Sequence, residues 1–166
     1  VQLRNLHNIK PLDIAKIELK VHSLVLELTG KKTPKDGLEA KFSVFHSCAA
    51  GLMFGQAGED EYSDAIVQRA DTIALRDKVS AVVDNSIDEA SVDVTITLNN
   101  GTVHHLFVEH AIGSIHKPLT DKMLEGKFHS LVDPVLGAER ADALIAACWD
   151  LGNAPNVLAL VKLSQP

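Results

Sequence analysis

The stretch that most constrains this chain runs from Leu38 to Gly55, LEAKFSVFHSCAAGLMFG, and is apolar on most sides of a helical wheel. Such a stretch predicts a buried helix. A line of small polar groups crosses it, because Ser43, His46 and Ser47 stand at positions i, i+3 and i+4. A solvent-facing line would normally carry Lys or Glu, so this one indicates the wall of a pocket. Two alternatives stay open: a core histidine bonded to a carbonyl, and serines that let helices pack closely.

Length and composition place the chain among globular proteins. Its 166 residues suffice for one domain or a compact pair. No window approaches the ~20 apolar residues of a membrane span, so we expect no membrane insertion. The net charge of -6, with acids and bases interspersed, leaves no basic face and argues against nucleic acid as a partner.

The two cysteines, Cys48 and Cys148, lie in apolar helical patterns and show no Cys-x-x-Cys spacing. They are predicted to be buried, reduced thiols, which favours a cytoplasmic location. No signal peptide is visible, and the sequence begins at Val1 and not at Met. We therefore expect it to be a fragment or a processed product.

Alternating apolar and polar residues predict the strands. The segment Ile14 to His22 is apolar at its odd positions and charged or histidine at its even positions from 16 onward, which indicates a strand with one buried face. Ser80 to Asp84 is a short strand. Ser91 to Glu109 is predicted to be a hairpin, because Asn99-Asn100-Gly101 supplies the residues of a tight turn.

The register of this hairpin depends on the length of its turn. A three-residue turn places His104 opposite Ile96, whereas a two-residue turn brings His105 to that face, and both registers stay open. Adjacent strand residues point to opposite faces, so His104 and His105 cannot bind one ion. No metal site is predicted here.

Helical periodicity, with Ser or Thr caps and Gly or Pro terminators, predicts the helices. They are Val1 to Asn8, Ser23 to Gly30, Ser63 to Arg69, Asp71 to Lys78, a helix capped by Thr120 and ended by Pro134, Glu139 to Leu151, and a last helix from about Pro155 in a well-packed terminus. Together with the strands they predict one α+β domain over residues 1–166. Its architecture is a two-layer sandwich in which a small, mostly antiparallel sheet packs against helices.

Three segments carry a family resemblance: IAKIELKVHSLVLELTGKKTPKDGLEAKFSVFHSCAAGLMFGQAG, EYSDAIVQRADTIALRDKV and GSIHKPLTDKMLEGKF. In order and spacing they resemble the C-terminal domain of the MmgE/PrpD family, which includes 2-methylcitrate dehydratase and cis-aconitate decarboxylase. Members have a large helical N-terminal domain, a smaller two-layer α+β domain and an active site between them. The resemblance implies that the chain is the smaller domain alone and that the helical domain is absent from it.

The resemblance also implies a site. The family segment KFS-x-x-(Tyr/His) is matched by Lys41 to His46, and His46 stands where many members have a tyrosine that reaches the substrate. His46 is therefore the implied catalytic residue, as a proton carrier. Lys41, Ser43 and Ser47 are the implied substrate-binding residues, with Lys41 offsetting carboxylate charge.

The implied function is that of a 2-methylcitrate dehydratase-like lyase of propionate metabolism, acting on a small polycarboxylic acid without cofactor, metal or nucleotide. The isolated domain is expected to be inactive, and the family implies a homodimer. Two other functions compete: a non-catalytic dimerisation module, and an isomerase or epimerase that abstracts a proton next to a carboxylate. A lyase predicts a polar pocket open at His46, whereas an assembly module predicts that the polar line is sealed.

Overall fold

The structure, a computed structural model, describes residues 1–165 and contains two compact units. The first is Val1–Ala111, and the second begins at Ile112. The first unit contains a four-stranded sheet and six α-helices, and the second contains helices only within its described residues. The single domain expected over residues 1–166 stays a prediction.

The sheet has the strand order β2-β1-β3-β4. Its strands are β1 (Ile14–Val21), β2 (Val79–Val83), β3 (Val92–Leu98) and β4 (Val103–Val108). The pairs β1–β3 and β3–β4 are antiparallel, while β1 and β2 run parallel. The predicted α+β class and the mostly antiparallel sheet are confirmed, with the parallel pair as an addition.

The burial of residues along β1 follows the alternation of its sequence, with one exception at its start. Ile17, Leu19 and Val21 are buried as the alternation predicts, and the residues between them face solvent. Ile14 is buried instead of Ala15, because the pairing with β3 shifts register between Ile14 and Lys16. A bulge of this kind inserts one residue and reverses the alternation on its far side.

The hairpin adopts the three-residue turn. His104 lies opposite Ile96, and Gly101 in the turn has a positive φ of 84°. His104 therefore points to the inner face, where its ring stacks on His7 at 4.0 Å between centroids. His105 points to the outer face and lies 2.9 Å from an Asp93 oxygen. The two histidines lie on opposite faces, as predicted.

The helices of the first unit pack on the inner face of the sheet and on one another. They are α1 (Gln2–His7), α2 (Ser23–Thr29), α3 (Gly37–Ala40), α4 (Val44–Phe54), α5 (Asp64–Val67) and α6 (Ala70–Arg76). The core contains sheet residues such as Ile17 and Ile96 together with Phe45, Ala49 and Leu52 of α4. Burial of these side chains supplies the main stabilisation of the unit.

The predicted helix from Leu38 to Gly55 is wrong in its continuity, because the chain forms α3 and α4 with a break between them. Ser43 causes the break. It has extended backbone, pairs with Gly30 in an isolated bridge, and its hydroxyl accepts a hydrogen bond from His46 N at 3.1 Å. A serine in this position is an N-cap, which starts a new helix. Gly55, with φ 78°, ends α4.

The described helices of the second unit are α7 (Asp121–Leu136), α8 (Ala138–Trp149) and α9 (Leu158–Leu163). Thr120 caps α7 as predicted, since its hydroxyl accepts from Met123 N. The prediction that Pro134 ends this helix is wrong: α7 continues to Leu136, and Gly137 ends it with φ 82°. Pro134 lacks the N–H that would bond to the carbonyl four residues back, but its fixed φ of about −65° is helical, and the helix continues for two more residues.

The predicted packing of the terminus is also wrong, because Val157, Leu158 and Val161 are exposed. None of the helices in residues 1–165 is both long enough and apolar enough to cross a membrane.

Candidate functional site

The candidate site is built around the first turn of α4. Ser43 is buried, and both of its oxygens are engaged: the hydroxyl caps α4, and the carbonyl accepts from the Ser47 hydroxyl at 2.9 Å. Because its hydroxyl already serves the helix, Ser43 positions the start of α4. The structure places it beneath the surface and not on an open pocket wall.

His46 is fully buried, and its ring nitrogens differ. Nε2 lies 2.9 Å from the carbonyl oxygen of Glu61, which only accepts hydrogen bonds, so Nε2 carries the proton. Nδ1 is buried and finds no hydrogen-bond partner within residues 1–165. Burial lowers the pKa of the imidazole, the bond to Glu61 opposes this, and the charge of Arg76 lowers it further. His46 is therefore a neutral imidazole with a free lone pair on Nδ1.

Ser47 lies one residue further along α4 and contacts a tyrosine that sequence reasoning missed. Its hydroxyl is 2.7 Å from the hydroxyl of Tyr62, and the Tyr62 ring meets the His46 ring edge-on at 5.2 Å. Tyr62 is the only tyrosine of the chain. A single aromatic in an acidic segment was the available signal, but the contact across 15 residues has no signature in the sequence.

Lys41 lies in the break before α4 and pairs with Glu59 at 2.7 Å. Both side chains are largely exposed, so this pair contributes little stability. Lys41, His46 and Ser47 thus contact the same short segment, residues 59–62, which forms a 3-10 turn from Asp60 to Tyr62. We call this segment the covering turn.

The covering turn is held by a buried carboxylate. Glu61 accepts hydrogen bonds from the Gln56 side chain at 2.9 Å and from Gly58 N at 2.8 Å, one on each oxygen. Two donors compensate the buried charge. The turn that covers His46 is therefore anchored by its own carboxylate as well as by the imidazole.

A cavity of about 270 Å³ lies between α1, α4 and the inner face of the sheet. Of the predicted site residues only Ser47 lines it, and its other walls are mainly apolar, with Cys48, Leu52, Val94 and Leu106 among them. The polar line is thus divided: Ser47 reaches a cavity, whereas Ser43 and His46 are sealed. The prediction of a buried thiol is wrong for Cys148, which is exposed, and Cys48 is half-buried.

Two further buried polar residues escaped the sequence analysis. Thr72 and Arg76 stand one turn apart on α6, which packs against α4, and both are buried. The sequence predicts an ordinary helix for both residues, because a lone Arg in an amphipathic pattern usually faces solvent. Among residues 1–165 no group of three His, Cys, Asp or Glu side chains is placed to hold a metal ion.

Comparison with known proteins identifies the family of the chain. A search of curated protein sequences finds no significant similarity. A scan against protein families finds the MmgE/PrpD C-terminal domain over residues 1–151, a span that includes the whole first unit together with α7 and α8. The chain therefore belongs to the MmgE/PrpD family and represents its C-terminal domain.

Proposed function

We propose that this chain is the C-terminal domain of a lyase that adds or removes water on a small polycarboxylic acid, with 2-methylcitrate as the leading candidate. Family membership supports a PrpD-like dehydratase domain. The observation that carries the proposal is the state of His46: a neutral imidazole whose Nδ1 is free to accept a proton. The proposal includes a cytoplasmic homodimer in which a helical N-terminal domain completes the site.

The chemistry follows from the tautomer. Dehydration next to a carboxylate needs a base that takes a proton from carbon and an acid that protonates the leaving hydroxide. With Nε2 protonated and held by the Glu61 carbonyl, Nδ1 is the basic atom of His46. The lowered pKa keeps the ring unprotonated at neutral pH, so Nδ1 is available as the base.

This mechanism requires the covering turn to open, because the His46 ring is fully buried. In this opening the contacts of Tyr62 with Ser47 and of Glu59 with Lys41 break, while the Glu61 carbonyl stays bonded to His46 Nε2 and keeps Nδ1 as the basic atom. Each broken contact releases one group for the substrate. In this proposal the Lys41 ammonium and the Ser47 hydroxyl bind a substrate carboxylate, and Ser43 keeps the first turn of α4 in place.

One observation favours the assembly module as a second candidate. Ser43 and His46 are both buried, as a core or interface role predicts. The hydrogen bond from His46 Nε2 to the Glu61 carbonyl is a structural contact that needs no substrate. Isomerase or epimerase chemistry would use the same base and differs only in where the proton returns.

The test uses the longer protein that carries the helical domain, assayed with 2-methylcitrate and with cis-aconitate. We expect His46→Gln to lower kcat at least tenfold, since a general base typically contributes about 10²–10⁴-fold. The matched control is His105→Gln, which removes an imidazole from the exposed outer face of the sheet.

The pH profile separates catalysis from packing. A base with a lowered pKa places the acidic limb of the kcat/KM profile, which reports the free enzyme, below pH 6.5, and that limb disappears in His46→Gln. If His46→Gln folds normally and retains full turnover on both acids, His46 is not the base. If neither acid is turned over by the unaltered protein, the lyase function fails.

A further inference from the structure

The buried face of α6 carries a positive charge that has no ion-pair contact among residues 1–165, although the Asp77 carboxylate acts on it from beyond that distance. Arg76 is only 4% exposed, yet no carboxylate among residues 1–165 lies within ion-pair distance of its guanidinium. Its Nη1 donates to the carbonyl of Val67 at 3.3 Å, and its Nε is buried with no partner within the described chain. Arginine is seldom buried in this state, because burial of a charge requires a partner.

Two other polar atoms in the packing of α6 against α4 share this condition. The Thr72 hydroxyl and Nδ1 of His46 are fully buried, and neither bonds to any of residues 1–165. Thr72 precedes Arg76 by four residues, so both side chains lie on one face of α6. The group thus offers two donors, Nε–H and O–H, and one acceptor.

These donors match a carboxylate. A guanidinium binds a carboxylate side-on through parallel N–H···O bonds, and the edge that contains Nε is the one left free when Nη1 is engaged elsewhere. A neutral ligand such as water would satisfy the hydrogen bonds but leave the buried charge unpaired. An anion satisfies both.

We propose that Arg76 and Thr72 form a carboxylate-binding site that receives one carboxylate of the polycarboxylic substrate. The proposal rests on the function proposed above and identifies a binding residue beyond Lys41 and Ser47. The site lies on the helix that packs against the helix of the base, and the Arg76 charge acts on the His46 ring. A bound carboxylate neutralises that charge, so the basicity of Nδ1 rises when the substrate is present.

The experiment measures thermal unfolding of the full 166-residue chain with increasing propane-1,2,3-tricarboxylate, which has three carboxylates and no hydroxyl to eliminate. We expect a saturable rise in Tm, because a ligand that binds only the folded state stabilises it. Arg76→Met is expected to abolish the rise. Arg69→Met is the matched control: Arg69 precedes the same helix, but it is exposed and paired with Asp71.

A second, more conservative variant tests the site in case Arg76→Met does not fold. Arg76→Lys keeps the charge but lacks the planar edge, so we expect it to raise the Kd for the tricarboxylate about tenfold. Sodium sulfate at the same ionic strength measures the response to any anion. An equal rise in Tm with sulfate, or a full rise in Arg76→Met, overturns the carboxylate site.

This result is independent of turnover. If the longer protein acts on neither acid while Arg76-dependent binding of the tricarboxylate persists, the proposed reaction fails and the binding site stands. If turnover is found and the tricarboxylate response is unchanged in Arg76→Met and Arg76→Lys, the reaction stands and Arg76 is not part of substrate binding.

Discussion

The two units of this chain both contain regular patterns of apolar residues but bury them to different extents. In the first unit a continuous core of β-strand and helix residues is excluded from solvent. In the second unit, among its described residues, only Ala141 and Leu144 are buried, and Leu131, Val135 and Trp149 are exposed. The difference shows that a helical pattern predicts a helix, whereas burial requires a second layer that spans the whole apolar face.

In the second unit, where few side chains are buried, polar contacts connect α7 and α8. The Trp149 indole donates to Glu125 at 2.8 Å, and the His129 ring lies between Asp133 of its own helix and Asp142 of α8. Next to them is an open cleft of about 190 Å³ between the two helices, which Phe128 and Ile145 help to line. We therefore expect core substitutions to dominate the stability of the first unit and to matter less in the second.

The largest expected effect is that of a cavity in the first unit. Ile17→Ala removes a fully buried side chain from the central strand, and we expect it to lower the free energy of unfolding by about 4 kcal/mol. We expect Leu144→Ala to lower the free energy of unfolding by about 2 kcal/mol, since few residues around Leu144 are buried and its surroundings relax more readily. Chemical denaturation followed through Tyr62 and Trp149, the only tyrosine and tryptophan, reports on each unit.

Val82→Ala is the matched control for this comparison, because Val82 lies on the exposed outer face of the neighbouring strand. We expect a change within about 0.5 kcal/mol. Equal costs for Ile17→Ala and Leu144→Ala would break the contrast between the two units.

The reaction rates of the two thiols also compare the two units, because Cys48 lies in the first unit and Cys148 in the second. Burial raises the pKa of Cys48 to about 11, whereas Cys148 is exposed. At pH 8 the thiolate fraction of Cys48 is about a hundredfold below that of an ordinary thiol, and its attacking sulfur is less accessible. We expect a disulfide reagent to modify Cys148 at least about 100-fold faster than Cys48, as measured by mass spectrometry of timed samples. Comparable rates would mean that the core around Cys48 opens readily.

The sequence predicts local structure better than it predicts the site. The strands follow from strict alternation, and the hairpin from its Asn-Asn-Gly turn, because both patterns act over a few residues. The bulge after Ile14 and the helix break at Ser43 depend on pairing with β3 and with Gly30, which lie far along the chain. Local propensity does not contain such contacts, so both were missed.

At the candidate site the sequence predicts the residues of α4 but not the residues that they contact. Ser43, His46 and Ser47 stand out because polar residues interrupt an apolar stretch. Their partners Glu61 and Tyr62 lie 15 residues away, in a segment that looks like a solvated acidic loop. Burial of Arg76 depends on the tertiary packing of α6 and is not evident from a sequence pattern that places one arginine in seven helical residues.

The smallest expected effect, and the sharpest contrast between the units, is the pH dependence of stability from two histidines. Burial lowers the pKa of His46, so the unfolded state binds a proton before the folded state does, and stability falls as the pH drops below 6.5. The Asp133 hydrogen bond raises the pKa of His129, aided by Asp142 and Glu125. Its contribution is complete below pH 6.5 and is lost as the pH rises through the raised pKa.

The two limbs can be separated by substitution. We expect His46→Gln to flatten the acidic limb of the unfolding free energy between pH 5 and 7, and His129→Gln to flatten the limb above pH 6.5. The shift at His129 rests on both ring nitrogens facing carboxylates, a geometry that only the imidazolium satisfies with two donors. Asp142→Asn should therefore reproduce part of the His129→Gln effect. If both histidine variants flatten the same limb, the two environments do not shift the histidine pKa values in opposite directions. The contrast between a buried core in the first unit and a solvent-exposed pair of helices in the second would then be wrong.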